Sequence, residues 1–322
     1  MTTQDLPANL SGFNVPATLH EEIEVAKSFA RDQHASATRQ AYRSDFRIFQ
    51  AWCAARSLPG FPAEPATISA FIAAEAKAGT KASTITRRLA AIRYAHVLAG
   101  HEPPTNSEVV KATMKGIRRN LGTAPMRKAP ATAQRVVLMA NLCPDGLKGV
   151  RDRALLLLGF AGAFRRSELV ALTVDDLEET DKGLRIRIHR SKTDQEGVGH
   201  VIAVLRGERL CPVAAVRAWL EAAGITEGPV FRPFSRGDRP LDRQLTPKSV
   251  AIIVKRYAKQ SGLDPEQFAG HSLRAGFLTS AAANGASLFK MMDVSRHKSV
   301  DTLRGYVRRA EEFENHAGAG LL

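Results

Sequence analysis

Two short stretches near the C-terminus hold most of the residues able to do chemistry: HSLRAGF, from His271, and SRHKSVDTLRGYVRR, from Ser295. They supply His271, Arg274, His297 and Tyr306. Upstream, GAFRRSELV supplies Arg165 and Glu168, and a turn between two apolar runs supplies Lys192. A guanidinium is a planar fork that stays ionised at any working pH and matches the oxygens of a phosphate. An imidazole relays a proton or donates a hydrogen bond. A phenol, with a general pKa of about 10, becomes a nucleophile when it loses its proton. Each residue also has a plain reading. Arg165 and Arg166 read as surface charges before a helix capped by Ser167, and Lys192 as a solvated turn lysine. His271 and Arg274 read as a surface pair, His297 as a loop residue, and Tyr306 as part of the apolar stripe Leu303, Tyr306, Val307. One feature resists the plain reading: Arg165 follows the very apolar RALLLLGFAGAF, and an arginine leaving a buried segment needs an anionic partner.

The elements that must position these residues follow from periodicity. Residues 1–17 read as a loose polar arm with Pro7 and Pro16. Residues 18–120 read as a helical domain. Tyr42, Phe46 and Phe49 recur at helix spacing beside a stripe of Arg39, Arg43 and Arg47. TISAFIAAEAKAG gives a second helix. STITRRLAAIRYAHVLAG gives a third, with Ser83 as its N-cap and Gly100 as its stop, and NSEVVKATMKGIRRN a fourth. Gly, Pro and charge in LGTAPMRKAPATAQ mark a linker over 121–133. The remainder, 134–322, is mixed. Leu184, Ile186 and Ile188 alternate with Arg185, Arg187 and His189 as in a strand, and a turn over Ser191–Gly197 leads to a second strand near Val201–Leu205. Helices resume near Pro212–Gly224 and Thr246–Gly262. The fold class is mainly α with a small antiparallel β-sheet, without internal repeats.

Composition narrows the function. Lys plus Arg number 46 against 32 Asp plus Glu, a formal charge of +14 over 322 residues. That excess suits a polyanion such as nucleic acid. Cys53, Cys143 and Cys211 lack metal or disulfide spacing, which fits a reducing cytoplasm. Neither a signal peptide nor a membrane-spanning run is evident. The acidic string Asp175, Asp176, Glu178, Glu179 reads as a solvated helix face, not as a metal site.

Taken in order, R-x-S-E, a hairpin lysine, H-x-x-R, His and a tyrosine in a terminal helix resemble the signature of the tyrosine recombinase (phage integrase) family. The resemblance is to its simple two-domain, Cre/Xer-like type and runs from about residue 18 to the end. It implies a core-DNA-binding domain followed by a catalytic domain, and a site made of Arg165, Lys192, His271, Arg274, His297 and Tyr306, supported by Glu168. One departure is Arg296, where Gly commonly precedes the second His; it falls outside the catalytic positions. The implied reaction is strand cleavage and rejoining through a 3′-phosphotyrosine, without metal, cofactor or ATP. Lys192 is the implied acid at the leaving oxygen, and His271 is a reasonable base. Glu168 is expected to orient its neighbours.

The resemblance also implies a clamp on double-stranded DNA with inverted-repeat core sites. Expected phosphate contacts are Arg39, Arg43, Arg47, Lys81, Arg87 and Arg88 in the first domain, Arg127 and Lys128 in the linker, and Arg243, Lys248, Lys255 and Arg256 in the second. Thr84, Arg87 and Arg88 are candidate base readers on the third helix. The terminal RRAEEFENHAGAGLL, with Ala310 and Phe313 as an apolar pair, is expected to dock on a neighbouring copy. The protein would then be a monomer when free and a tetramer on paired sites. An accessory protein or partner recombinase stays open. A DNA-binding protein without catalysis and a type IB topoisomerase are the competing readings.

Overall fold

The computed structural model describes residues 35–124, 128–189 and 199–310, with a few isolated positions before 35. The expected arm (1–17), Arg127, Lys192 and the tail beyond Ala310 lie outside the described residues. The chain divides into two compact units between Met126 and Arg127.

The first unit is helical: α1 (Ser36–Ala54), α2 (Pro65–Lys77), α3 (Ala82–Leu98) and α4 (Glu108–Leu121). Helix α1 packs on α3, and α2 on α4. Phe49, Ile68, Phe71, Ile72, Ile85 and Ile92 are fully buried between them, and the rings of Phe49 and Phe71 meet edge-on with centroids 5.1 Å apart. Pro65 opens α2, where a missing N–H costs nothing. Helix α3 begins one residue before Ser83, and its N-cap is Lys81, not the expected serine.

The second unit begins with α5 (Ala133–Asn141), α6 (Leu147–Ala161) and α7 (Arg166–Ala171). A three-stranded antiparallel sheet follows: β1 (Leu177–Thr180), β2 (Gly183–Ile188) and β3 (His200–Leu205), in that spatial order. The β2–β3 ladder runs from Gly183 opposite Leu205 to Ile188 opposite His200. Alternation places Leu184, Ile186 and Ile188 inside and Arg185 and Arg187 outside. Then come α8 (Pro212–Ala223), α9 (Pro247–Gln260), α10 (Ser272–Ala283), α11 (Leu288–Ser295) and α12 (Val300–Ala310). Thr246 caps α9 by accepting from the Ser249 N–H.

Strand β1 was not expected. The acidic string lies on a 3₁₀ turn (Val174–Asp176) and on β1, not on a helix face. Three of its members, Asp176, Glu178 and Glu179, are also engaged. Asp176 is buried and accepts from Thr173 and from His189 Nε2 at 2.6 Å. Glu179 pairs with Arg206 and Arg217, and Glu178 with Arg185. The sheet turns a charge run into cross-strand and strand-to-helix ion pairs.

Candidate active site

The site is built where the end of α6, the start of α7, α10, α11 and α12 converge. The second half of helix α6, ALLLLGFA, is wholly apolar, with Leu155, Leu156 and Leu158 fully buried. The chain leaves it through Ala163, held at φ 45°, and delivers Arg165 as the N-cap of α7. The cap is therefore Arg165 and not Ser167. The anionic partner required of Arg165 is Glu168, one turn into α7. The Glu168 carboxylate accepts from the Arg165 backbone N–H (2.9 Å) and from Arg165 Nη1 (2.6 Å).

Helix α10 supplies the second arginine. Arg274 is completely buried, and its Nη1 donates to the Ala163 carbonyl at 2.7 Å. Its Nη2 lies 3.2 Å from both ring nitrogens of His297. Its Nε has no hydrogen-bond partner among the described residues. A buried guanidinium donor without an acceptor is unfavourable, and an incoming phosphate oxygen is the acceptor such a donor suits. Burial, Arg165 and Arg296 together pull the Arg274 pKa down to about 9, against Glu168 and Tyr306. It is still charged at neutral pH.

Gly276 lets α10 sit where it does. A Cβ there would stand 1.7 Å from the Ala131 carbonyl oxygen. The entering segment crosses α10 at that point, and Ala131 N–H donates to the Ser272 carbonyl at 2.9 Å. The glycine of HSLRAGF thus serves backbone packing one turn below His271.

His297 follows α11. Ser295 Oγ donates to the Met291 carbonyl (2.6 Å), so it accepts from His297 Nδ1 (2.8 Å). That assigns the Nδ1–H tautomer and leaves Nε2 to accept. Burial and then Arg274, Arg165, His271 and Arg296 drive the His297 pKa down to about 3, so the ring is neutral in the free protein. His271 keeps an exposed edge as the N-cap of α10; partial burial, Arg274 and Arg165 lower its pKa as well.

Helix α12 is seated by a small cluster of its own: Leu303 and Leu278 fully buried, with Met291 and Ala282. Tyr306 and Val307 pack on the edge of this cluster, half-buried. Tyr306 is close enough that a phenolate there acts on Arg274. The structure therefore brings Arg165, Glu168, His271, Arg274, His297 and Tyr306 together. Lys192 lies outside the described residues; the strands on either side of that segment are paired. Ile188 pairs with His200, and His189 is tied to Asp176.

Arg296 is the member of this cluster that the sequence did not reveal. Its side chain is 2% exposed, and Nη2 donates to Glu168 Oε2 at 2.7 Å. Its backbone is left-handed (φ 57°, ψ 38°), a conformation that costs roughly 1–2 kcal/mol for an L residue other than glycine. One buried carboxylate thus serves two arginines. Burial would raise the Glu168 pKa, but Arg296 and Arg165 outweigh it and hold it below the ordinary carboxylate range. Among the described residues no group of three His, Cys, Asp or Glu side chains could hold a metal ion.

The expected DNA contacts are distributed unevenly. Arg43 and Arg47 on α1 are exposed, as are Lys81, Lys128, Arg243 and Lys248, while Arg39 and Thr84 are half-buried. Arg87 makes a two-pronged ion pair with Asp45 (2.6 and 3.0 Å) but keeps half its side chain in solvent. Arg88 is drawn inward by Glu75 and Asp45, a poor position for reading a base. Lys255 pairs with Glu266 and Lys128 with the Glu266 carbonyl, and Arg256 lies 3.6 Å from the buried Asp152.

A helical unit, a small sheet and a cluster of arginines and histidines beside a tyrosine make an arrangement suited to holding a phosphate group. Comparison with known proteins agrees. The chain matches the phage integrase family model over residues 131–312 and the phage integrase N-terminal SAM-like domain over residues 28–102. The integrase/recombinase xerD homolog of Selenomonas ruminantium is 40% identical over 298 residues, covering 91% of this chain and 87% of the relative. Recombinase cre of Escherichia phage P1 is 25% identical over 326 residues, covering 94% and 93%. Among solved structures, a lambda integrase dimer bound to a COC′ core site is similar in fold, with TM-score 0.62 at 19% identity, covering 92% of this chain and 97% of that one. The chain belongs to the phage integrase family of tyrosine recombinases. No described helix is long and apolar enough to cross a membrane.

Proposed function

We propose that this protein is a site-specific DNA recombinase that cuts and rejoins strands through a 3′-phosphotyrosine formed by Tyr306, without metal or ATP. The observation that carries the reading is the completely buried Arg274, with an unpartnered Nε, beside Arg165, His297 and Tyr306. Attack by the Tyr306 phenolic oxygen on phosphorus forms the O–P bond and breaks the bond to the 5′-oxygen. Arg165 and Arg274 are donors for the charge that builds on the nonbridging oxygens, where fixed donors lower the barrier most. His271 takes the phenolic proton, and Lys192 gives a proton to the leaving 5′-oxygen. A 5′-hydroxyl from another strand reverses the step, so the bond energy is retained and no hydrolysis occurs.

His297 gains a second role from its surroundings. With Nδ1–H committed to Ser295, its Nε2 can donate to the phosphate only as an imidazolium. Burial, and after it the crowding of cations, keeps the free ring neutral, and the negative charge of a bound phosphate offsets the second of these. His297 would thus become a donor only once DNA is bound.

Arg43, Arg47, Lys81, Lys248 and Arg243 are proposed as phosphate contacts that fix register, and core sites with inverted repeats as the substrate. The protein is proposed to act in the cytoplasm, where its DNA is. Because guanidiniums take the place of metal ions, cleavage and strand exchange persist in EDTA. A collapse in chelator that Mg²⁺ reverses would overturn the metal-free mechanism.

Assembly is proposed to run through the tail, which is continuous with α12 and hence with Tyr306. A free monomer would form a tetramer on paired sites. Truncation after Arg309 should leave single-site binding nearly intact in a gel shift and abolish synapsis and recombination. Full recombination by the truncated protein, or by Phe313→Asp, would contradict this.

A further inference from the structure

We propose that Arg296 is a positioning residue for strand cleavage, fixing Glu168 between two guanidiniums and tying the turn that carries His297 to the loop that delivers Arg165. The inference rests on the recombinase reading above. Arg296 Nη1 donates to the carbonyls of Val294 (2.7 Å) and Gly162 (3.3 Å), and Nη2 to Glu168 Oε2 (2.7 Å) and the Ala163 carbonyl (3.2 Å). The Ala163 carbonyl also accepts from Arg274. One carbonyl and one carboxylate therefore join three arginines from three separate elements. Both Nη groups of Arg296 are held by protein acceptors, which makes it a positioning group; its buried Nε, like that of Arg274, has no hydrogen-bond partner among the described residues.

Charge gives the same role a second basis. Glu168 facing Arg165 alone would neutralise that guanidinium. Shared with Arg296, the single carboxylate leaves the pair with one positive charge in excess. The charged groups around Glu168 are Arg165 from the start of α7, Arg274 from α10 and Arg296 from the end of α11. The backbone itself gains nothing from a side chain here, because glycine adopts a left-handed turn freely. What the arginine adds is its guanidinium, with its aliphatic stem buried and its charge 5.4 Å from the centre of the Phe164 ring.

The test compares Arg296→Gly and Arg296→Lys in the full-length protein. The substrate is a nicked suicide duplex bearing the core that the wild-type protein selects from a random-sequence duplex pool. Single-site affinity should be unchanged. The rate of adduct formation at saturating DNA should fall by about 10- to 100-fold for Arg296→Gly, as expected when reacting groups lose their alignment. Arg296→Lys, which keeps the charge but not the fork, should fall between. The pH profile separates positioning from mere stability. Removing Arg296 takes one cation from Glu168 and raises its pKa. Acidification should therefore slow the Gly variant at a higher pH than the wild type. Adding Glu168→Gln to Arg296→Gly removes the titrating group and should remove that extra acid limb. Wild-type rate and an unchanged acid limb in the Gly variant would overturn the inference, as would losses that only follow its melting. Should the Gly variant fail to fold, Arg296→Lys decides by the same two readouts. A wild-type protein that forms no adduct at all would overturn the recombinase reading, and this inference with it.

Discussion

Tyr306→Phe binds its DNA site with wild-type affinity and forms no covalent adduct. The ring of Tyr306 packs against the Leu303, Leu278 and Met291 cluster, and phenylalanine keeps that packing. Only the phenolic oxygen is lost. In a covalent mechanism that oxygen is the bond-forming atom, so its removal ends the reaction outright. The proposed phosphate contacts are Lys and Arg side chains of both units, and they have no need of that oxygen. An adduct trapped by the Phe variant on a nicked suicide substrate would place the nucleophile elsewhere.

Arg274→Ala should lose roughly 10²- to 10³-fold in cleavage rate, the scale of removing one fixed transition-state donor. Three features, beside the contact of its Nη2 with His297, point to a large loss. Arg274 is completely buried, its Nη1 is anchored to Ala163, and its Nε awaits an acceptor. Arg274→Lys should also be severely slowed, because an ammonium replaces the fork with a point charge. DNA affinity should fall much less in either variant, since the proposed phosphate contacts at exposed residues such as Arg43 and Lys248 are retained. Pre-steady-state cleavage and gel shift on the same duplex separate the two effects. Cleavage by Arg274→Ala within a few-fold of wild type would contradict the assignment of Arg274 as a donor.

The order Arg165, His271, Arg274, His297, Tyr306 was legible because these residues fall in short motifs that, taken in order, resemble a family signature; local periodicity added that Arg165, His271 and His297 flank helices. An apolar helix ends before Arg165, and an amphipathic stripe fixes the face of Tyr306. Strand β1 was not legible. Its four residues, LEET, do not alternate in burial, and the charges that pair it to β2 and α8 look like a solvated run when read alone. Helix α3 carries Arg87 and Arg88 as a basic stripe, but Asp45 and Glu75 come from two other helices and pull them aside. Arg296 shows the same limit most sharply. Its partners Glu168, Gly162 and Ala163 lie far away in the chain, so no local pattern distinguishes it from a surface arginine. The sequence marks which side chains can do the chemistry. The long-range ion pairs that hold them in place appear only with the fold.

The most direct measurement is the identity of the covalent link. The wild-type protein is incubated with a nicked suicide duplex bearing its selected core, the adduct is digested with nuclease and protease, and the modified peptide is sequenced by mass spectrometry. The mechanism predicts a phosphotyrosine at Tyr306 carrying a 3′-nucleotide remnant, with the free 5′-hydroxyl strand released. A phosphate on any other residue, or a cleaved duplex with a free phosphate and no protein attached, would contradict it.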